Sequence, residues 1–318
     1  MDEKTTNIKN NLDVQVNKIF QNTNERGYAT RARYEDACER FSGFLADEFR
    51  LQKFANVKEK HITRYAEKMK TEGKSASTMK TDLAGIRFAY ERSGGKNVLP
   101  GNEKLNLPQR SIGKVDRAWT PTEIQTAKNW AKIQGRPDVY HAVNLSSRFG
   151  FRIEGVCRAT VSHVKNALET KELYIREKGG LTRVVPVTKE SQVSALQEVL
   201  AYAKAEGKTG QEKILSDPVK GGVQKQIKSL QNWITNNQKY FLDNSIRGQK
   251  ALQEFKQKIE GAGLKVRSES LSFHGLRYRY AQERYTELRE RYDDQTAKKI
   301  TSENMGHHRA EVTNIYLS

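Results

Sequence analysis

The chain has 318 residues, enough for two ordinary domains, and its 56 Lys plus Arg against 38 Asp plus Glu leave a formal charge of +18. That excess, spread along the whole length, favours a polyanion, with counterion release supplying salt-dependent affinity for a phosphate backbone; an anionic membrane surface is the rival partner. No run approaches the ~18 apolar residues of a spanning helix, and Met1, Asp2, Glu3, Lys4 do not open a signal peptide, so a soluble cytoplasmic protein with no membrane partner is expected.

Residues 1–27 are rich in Asn and Lys with one weak apolar patch (Leu12, Val14, Val16, Ile19, Phe20), and read as a polar tail in which order is not expected. From Thr30, read as an N-cap, apolar residues recur with helical spacing at Tyr34, Ala37, Cys38, Phe41, Phe44, Leu45 and Phe49. A second helix carries Ile62, Tyr65, Ala66 and Met69 and ends near Gly73; a third begins around Ser77 with Met79, Leu83, Ile86 and Tyr90 on one face. Along another strip lie Lys80, Ala84 and Arg87, small in the middle and basic at both ends. That strip is either a surface that presses onto a DNA groove, with Ser77 and Thr81 as further contacts, or a solvated helix face. Residues 94–118 are basic and broken by Gly94, Gly95, Pro100, Gly101, Pro108 and Gly113; they read as an interdomain linker whose Lys114 and Arg117 are candidate DNA contacts.

Thr120, Pro121, Thr122 and Glu123 form a capping box that opens a second domain. Pro137 starts another helix, and Gly150 permits a break after it, so Arg152 projects from the start of the next short helix, with Arg158 and His163 just beyond as possible DNA contacts. Between Glu172 and Val187 two β-rich runs flank Gly179 and Gly180, a hairpin with Lys178 beside its turn. Residues 190–265 are long, basic and helical (Leu196–Ala203, Val223–Ile234, Ala251–Ile259), broken at Asp217 and Pro218; within them 220–260 is an elaboration that could add phosphate contacts or a protomer contact.

The last fifth carries the chemistry. His274 and Arg277, three apart on one side of a helical turn, can address one small anionic target, and Ala281, Tyr285, Leu288 and Tyr292 continue that helix as a core stripe. Met305, Gly306 and His307 follow, then Tyr316. A phenol is almost wholly protonated at neutral pH and so a weak nucleophile, a deficit that nearby cations and a proton acceptor offset. Cys38 and Cys157 lie far apart among apolar neighbours, which makes buried structural thiols and no zinc site. Gly73-Lys74-Ser75 and Gly207-Lys208-Thr209 lack the upstream glycine of a nucleotide-binding loop, so no cofactor is expected.

His-x-x-Arg, then Gly-His, then Tyr nine residues later resembles the signature of the tyrosine recombinase (phage integrase) family, and Arg152, Lys178, His274, Arg277, His307 and Tyr316 occur in that family's order over about 119–318. The resemblance implies a mainly α fold with a small β-hairpin in an α+β catalytic domain (119–318), preceded by a helical core-binding domain (28–93). It also implies double-stranded DNA as substrate and a homo-oligomer, a tetramer on DNA. Accessory DNA-bending or directionality proteins, nucleoid association, and strand exchange without metal or ATP belong to the same expectation. In that scheme Arg152 and Arg277 hold the non-bridging oxygens, Lys178 protonates the departing 5′-oxygen, His274 helps accept the tyrosine proton, His307 hydrogen-bonds the transition state, and Tyr316 forms a 3′-phosphotyrosyl link. Gly155 stands where the family usually carries a glutamate, with Glu154 one place earlier, so the arginine's buttress comes from elsewhere. His308 competes with His307, which register to Tyr316 favours. Only Leu317 and Ser318 follow Tyr316, so either assembly uses another element or the chain continues. A type IB topoisomerase would share the chemistry but act as a monomer; a DNA-binding regulator would bind without forming an adduct.

Overall fold

The first residues form a helix, α1 (Glu3–Gln21), where the sequence reads as a tail. Asp2 caps it, accepting from the Thr5 backbone N–H at 2.7 Å. Ile8, Leu12, Val16 and Phe20 are all buried, one per turn, while Asn and Lys cover the remaining sides. The apolar patch is therefore phased differently from its sequence reading: Val14 is 65% exposed and belongs to the solvent side.

In the computed structural model the chain divides into two units, Met1–Ser111 and Ile112–Ser318, and the structure describes residues 2–23, 25, 27–109, 115–176, 180, 182–243, 266–267, 270–307 and 310–317. The first unit packs α1 with α2 (Tyr28–Phe49), α3 (Glu59–Thr71) and α4 (Ala76–Arg92). Helix α2 starts after Gly27, earlier than the Thr30 expected. Its core is aromatic, with Phe41 against Tyr65 at 4.9 Å and Phe44 against Tyr65 at 5.0 Å between ring centroids. Asp82 of α4, nearly buried, accepts from Arg33 and Arg40 of α2 at 2.8 and 2.9 Å, which ties the two helices together. The expected linker is in part a packed segment of this unit: Leu105 is buried, Lys70 donates to its carbonyl at 2.9 Å, and the Asn97 side chain donates to the Val57 carbonyl at 2.9 Å.

The second unit contains β1 (Val115–Asp116), α5 (Pro121–Ile133), α6 (Pro137–Phe149), α7 (Ile153–Arg158), α8 (Val161–Thr170), β2 (Glu172–Arg176), β3 (Thr182–Pro186), α9 (Glu190–Ala205), α10 (Gly222–Asn237), β4 (Val266–Arg267), α11 (His274–Arg289), α12 (Asp294–Asn304) and α13 (Ala310–Leu317). The capping box at Thr120 and Glu123 is present and begins α5. Strands β2 and β3 pair antiparallel with Tyr174 opposite Val184, as the hairpin reading requires. A second pairing, β1 parallel to β4, has no counterpart in the sequence reading. Helix α6 runs through the core, burying Ala142, Val143, Leu145 and Phe149. The elaboration contributes to that core too: Trp233 of α10 stacks on Phe241 at 5.6 Å, and Trp119 also stacks on Phe241, at 5.3 Å. The helix expected at 251–259 lies outside the described residues. On α11 the buried face is Gly275, Leu276, Arg277, Tyr278, Tyr280, Ala281 and Leu288. Tyr285 and Tyr292 of the expected stripe are instead half-buried and exposed: the Tyr285 hydroxyl reaches out to Asp294, and Tyr292 lies past the last residue of α11.

His141 is buried against Tyr140 and Tyr202, and burial depresses its imidazole to about 4. The unfolded chain takes up its proton near pH 6.5 and the folded chain only near 4, so this contribution to stability is complete above pH 6.5 and is lost as pH falls towards 4. The melting midpoint is expected to drop between pH 7 and pH 5, and His141→Phe is expected to flatten that slope; an unchanged slope in thermal melts would refute it. Both cysteines are free and fully buried, and burial raises both thiols, that of Cys157 to about 12.

Candidate active site

Three backbone turns deliver the candidate residues. The first follows α6. Gly150 sits at φ +63, in the left-handed region, and closes α6 by donating its N–H to the Ser146 carbonyl at 2.9 Å. A Cβ built there would lie 2.4 Å from Tyr280 Cδ1. Gly150→Ala therefore combines backbone strain with a clash against a buried ring, and is expected to cost about 2 kcal/mol or more in urea unfolding; a loss under half of that would refute it. Arg152 then caps α7, its backbone extended, and stands half-exposed at the helix start.

The second turn precedes α11. The Trp119 indole N–H donates to the Ser272 carbonyl at 2.9 Å, and a Cβ on Gly275 would lie 2.3 Å from the Arg117 carbonyl oxygen. Residue 275 must be glycine because the segment 117–119 crosses directly over it. This crossing fixes the first turn of α11, whose His274 is exposed and whose Arg277, one turn on, has no exposure at all.

The third turn follows α12. Gly306, at φ +64, lets the chain reverse so that the His307 N–H donates to the Ser302 carbonyl at 2.9 Å. The His307 ring lies 3.3 Å from Arg277 Nη2 through Nε2, and 3.4 Å from Thr313 Oγ1 through Nδ1. Helix α13 then carries Tyr316 inward, where it is 7% exposed. Its hydroxyl lies 3.1 Å from His274 Nε2, and its ring packs on Tyr278 at 4.4 Å and on His307 at 5.1 Å. Gln282 of α11 donates to the Tyr316 carbonyl at 3.2 Å and to Asp116 at 3.1 Å, so it joins β1 to the end of α13.

His274, Arg277, His307 and Tyr316 thus form one continuous set of contacts. Arg277 donates to the Gly150 carbonyl at 2.5 Å and to the Met305 carbonyl, buried acceptors at the C-terminal ends of α6 and α12 that lie beyond the helices' own hydrogen bonding. Arg152 and His274 line a separate opening, a cavity of 560 Å³ whose far wall is Gln231, Ile234 and Thr235 of α10. Arg277 is not part of this lining; it meets the Gly150 turn, from which Arg152 follows, through its hydrogen bond to the Gly150 carbonyl. Burial raises the Tyr278 phenol, with Tyr316 facing it as the next cause.

Gly155, at the position where the resemblance implies a glutamate, is buried, and a Cβ there would meet Phe151 at 3.3 Å and Ile175 at 3.5 Å. Glu154 pairs instead with Arg158 at 2.9 Å, so Arg158 is occupied on its own helix. His163 is half-buried in a capping box with Thr160 at the start of α8. Arg87 is likewise folded back, donating to the Pro100 carbonyl at 2.7 and 3.0 Å and to Asn102 at 3.0 Å. Ser77 is exposed, Lys80 and Thr81 are half-buried on the same face of α4, and Arg117 is exposed. Lys178, His308 and Lys114 lie outside the described residues. Among the described residues there is no group of three His, Cys, Asp or Glu that could hold a metal ion, and no helix is long and apolar enough to cross a membrane.

Residues 124–318 match the model of the phage integrase family, and residues 21–91 match the phage integrase N-terminal SAM-like domain. No curated protein matches the sequence. Among solved structures, a lambda integrase dimer bound to a COC' core site is similar over 100% of this chain and 81% of its own, at 16% identity and TM-score 0.62. The XerH site-specific recombinase bound to a palindromic difH substrate is similar over 99% and 85%, at 14% identity and TM-score 0.59. The Tn1549 transposon integrase in complex with transposon right end DNA is similar over 96% and 94%, at 13% identity and TM-score 0.53. At these identities the likeness is one of fold.

Proposed function

The chain belongs to the phage integrase family, and from that premise we propose that it recombines DNA at specific sites through a covalent bond between Tyr316 and a 3′-phosphate. The observation that carries this reading is the 3.1 Å contact between the Tyr316 hydroxyl and His274 Nε2, within reach of the buried Arg277 and its partner His307. The Tyr316 oxygen attacks phosphorus, the bond to the 5′-oxygen breaks, and the phenolic proton passes towards His274. Charge that builds on the non-bridging oxygens is held by Arg152 and Arg277. Lys178 supplies the proton to the departing 5′-oxygen, and His307 hydrogen-bonds a phosphate oxygen while it orients Arg277. A free 5′-hydroxyl on another strand reverses the step. One phosphoester replaces another, so the exchange needs neither metal nor ATP.

Residues 28–93 act as the core-binding domain, with Ser77, Lys80 and Thr81 of α4 on the DNA; Lys114 and Arg117 add phosphate contacts from the linker. The similar proteins were solved as a dimer on a core site and as a tetramer on a Holliday junction, which supports a homo-oligomer, a tetramer during exchange. The test is covalent capture. The protein is mixed with random-sequence duplexes nicked near the centre, so that cleavage releases a short fragment and traps the intermediate. Denaturant-resistant adducts should form, and peptide mapping should place them on Tyr316. Tight binding without any adduct would point to a DNA-binding regulator, and efficient supercoil relaxation by a monomer to a topoisomerase.

A further inference from the structure

We propose that Arg183 of β3 is a positioning residue for this reaction, the strut that sets Arg277 and His307 at the scissile phosphate; the proposal rests on Tyr316 being the nucleophile. Arg183 is 4% exposed and is not among the residues that line the opening beside Arg152 and His274. Its guanidinium forks between the ends of two helices. Nη2 donates to the Phe149 and Gly150 carbonyls at 2.9 Å each, and Nη1 donates to the Asn304 carbonyl at 2.5 Å. These are last-turn carbonyls, which have no acceptor role inside their own helices and carry the negative end of the helix dipole.

Arg277 uses the neighbouring acceptors of the same two ends, Gly150 and Met305. Two buried guanidiniums therefore share the Gly150 carbonyl and span the same gap, between the turn that leads to Arg152 and the turn that leads to His307. The stem of Arg183 also fills the space under the Gly306 turn, since a Cβ built on Gly306 would lie 3.0 Å from Arg183 Cδ. Only a planar fork can address both helix ends at once; a lysine would keep the charge and reach one of them. The Arg183 cation thus fixes the distance between the segments that deliver Arg152 and His307, and with it the orientation of Arg277.

The test compares two forms of the DNA recovered by covalent capture: one with an ordinary scissile phosphate, and one with a methylphosphonate there, which lacks the charged oxygen that the arginines hold. Single-turnover cleavage at saturating DNA is measured for wild type and Arg183→Lys, with DNA affinity measured alongside. On the ordinary phosphate, Arg183→Lys should slow cleavage by about 100-fold with affinity unchanged, the effect expected of a misplacement near 1 Å. On the methylphosphonate its deficit should shrink to within about ten-fold of wild type. Arg183→Gln, which keeps an amide donor for one helix end and loses the fork, should give the same pattern and decides the matter where Arg183→Lys does not fold. Wild-type rates in both variants, or equal deficits on both DNAs, would overturn the proposal alone. Absence of any wild-type adduct would overturn it together with the nucleophile assignment.

Discussion

Tyr316→Phe is expected to abolish adduct formation, a loss of at least about 10⁴-fold in single-turnover cleavage, because it removes the oxygen that bonds to phosphorus. The fold should survive. The Phe ring keeps its packing on Tyr278 and His307, and the change gives up one contact to His274, worth about 1 kcal/mol. DNA affinity should match wild type, since the hydroxyl faces a histidine and not the solvent. Residual adduct in this variant, mapped to another residue such as the neighbouring Tyr278, would remove Tyr316 from the mechanism.

The second large effect is expected at Arg277, where two functions coincide. Arg277→Gln should lower cleavage by about 10³-fold, the upper range for loss of one preorganised donor to a developing oxyanion. It should also destabilise the fold by about 1–3 kcal/mol, because the Met305 carbonyl and the acceptors near it lose a buried cation. Arg277→Lys restores the charge without the fork, and should recover less than a tenth of the lost rate. Paired chemical unfolding and single-turnover assays check both parts. Cleavage within ten-fold of wild type in Arg277→Gln would show that a fully buried guanidinium plays no part at the phosphate.

Elements with local signatures are legible in the sequence. The hairpin follows from two β-rich runs around Gly179 and Gly180, the start of α5 from its capping box, and the Gly150 turn from a glycine between two helical runs. Helix α1 is not, because one apolar residue per turn among Asn and Lys carries too little hydrophobicity to separate it from a tail until α2 is placed beside it. The strip on α4 is legible as a face, yet the partner of Arg87 is a backbone carbonyl in the next segment, and carbonyls leave no trace in residue type. The same holds at the site. His274, Arg277, His307 and Tyr316 are identifiable from their order, and the structure brings them together. Arg183 stands in the Arg-x-x-Pro stretch of the hairpin, yet what it does there is not identifiable, because it acts through main-chain oxygens that any residue could supply. The short parallel pairing of β1 with β4 joins positions about 150 apart, a distance at which no pattern in either stretch points to the other.

The two thiols lie wholly inside the fold, each in its own unit, and both resist ionisation. A maleimide reacts with thiolate at the surface, so wild type should remain almost unlabelled under native conditions. One cysteine introduced on each exposed face would then accept a fluorophore selectively, with Cys38 and Cys157 left in place, and strand exchange could be followed by energy transfer in an otherwise native chain.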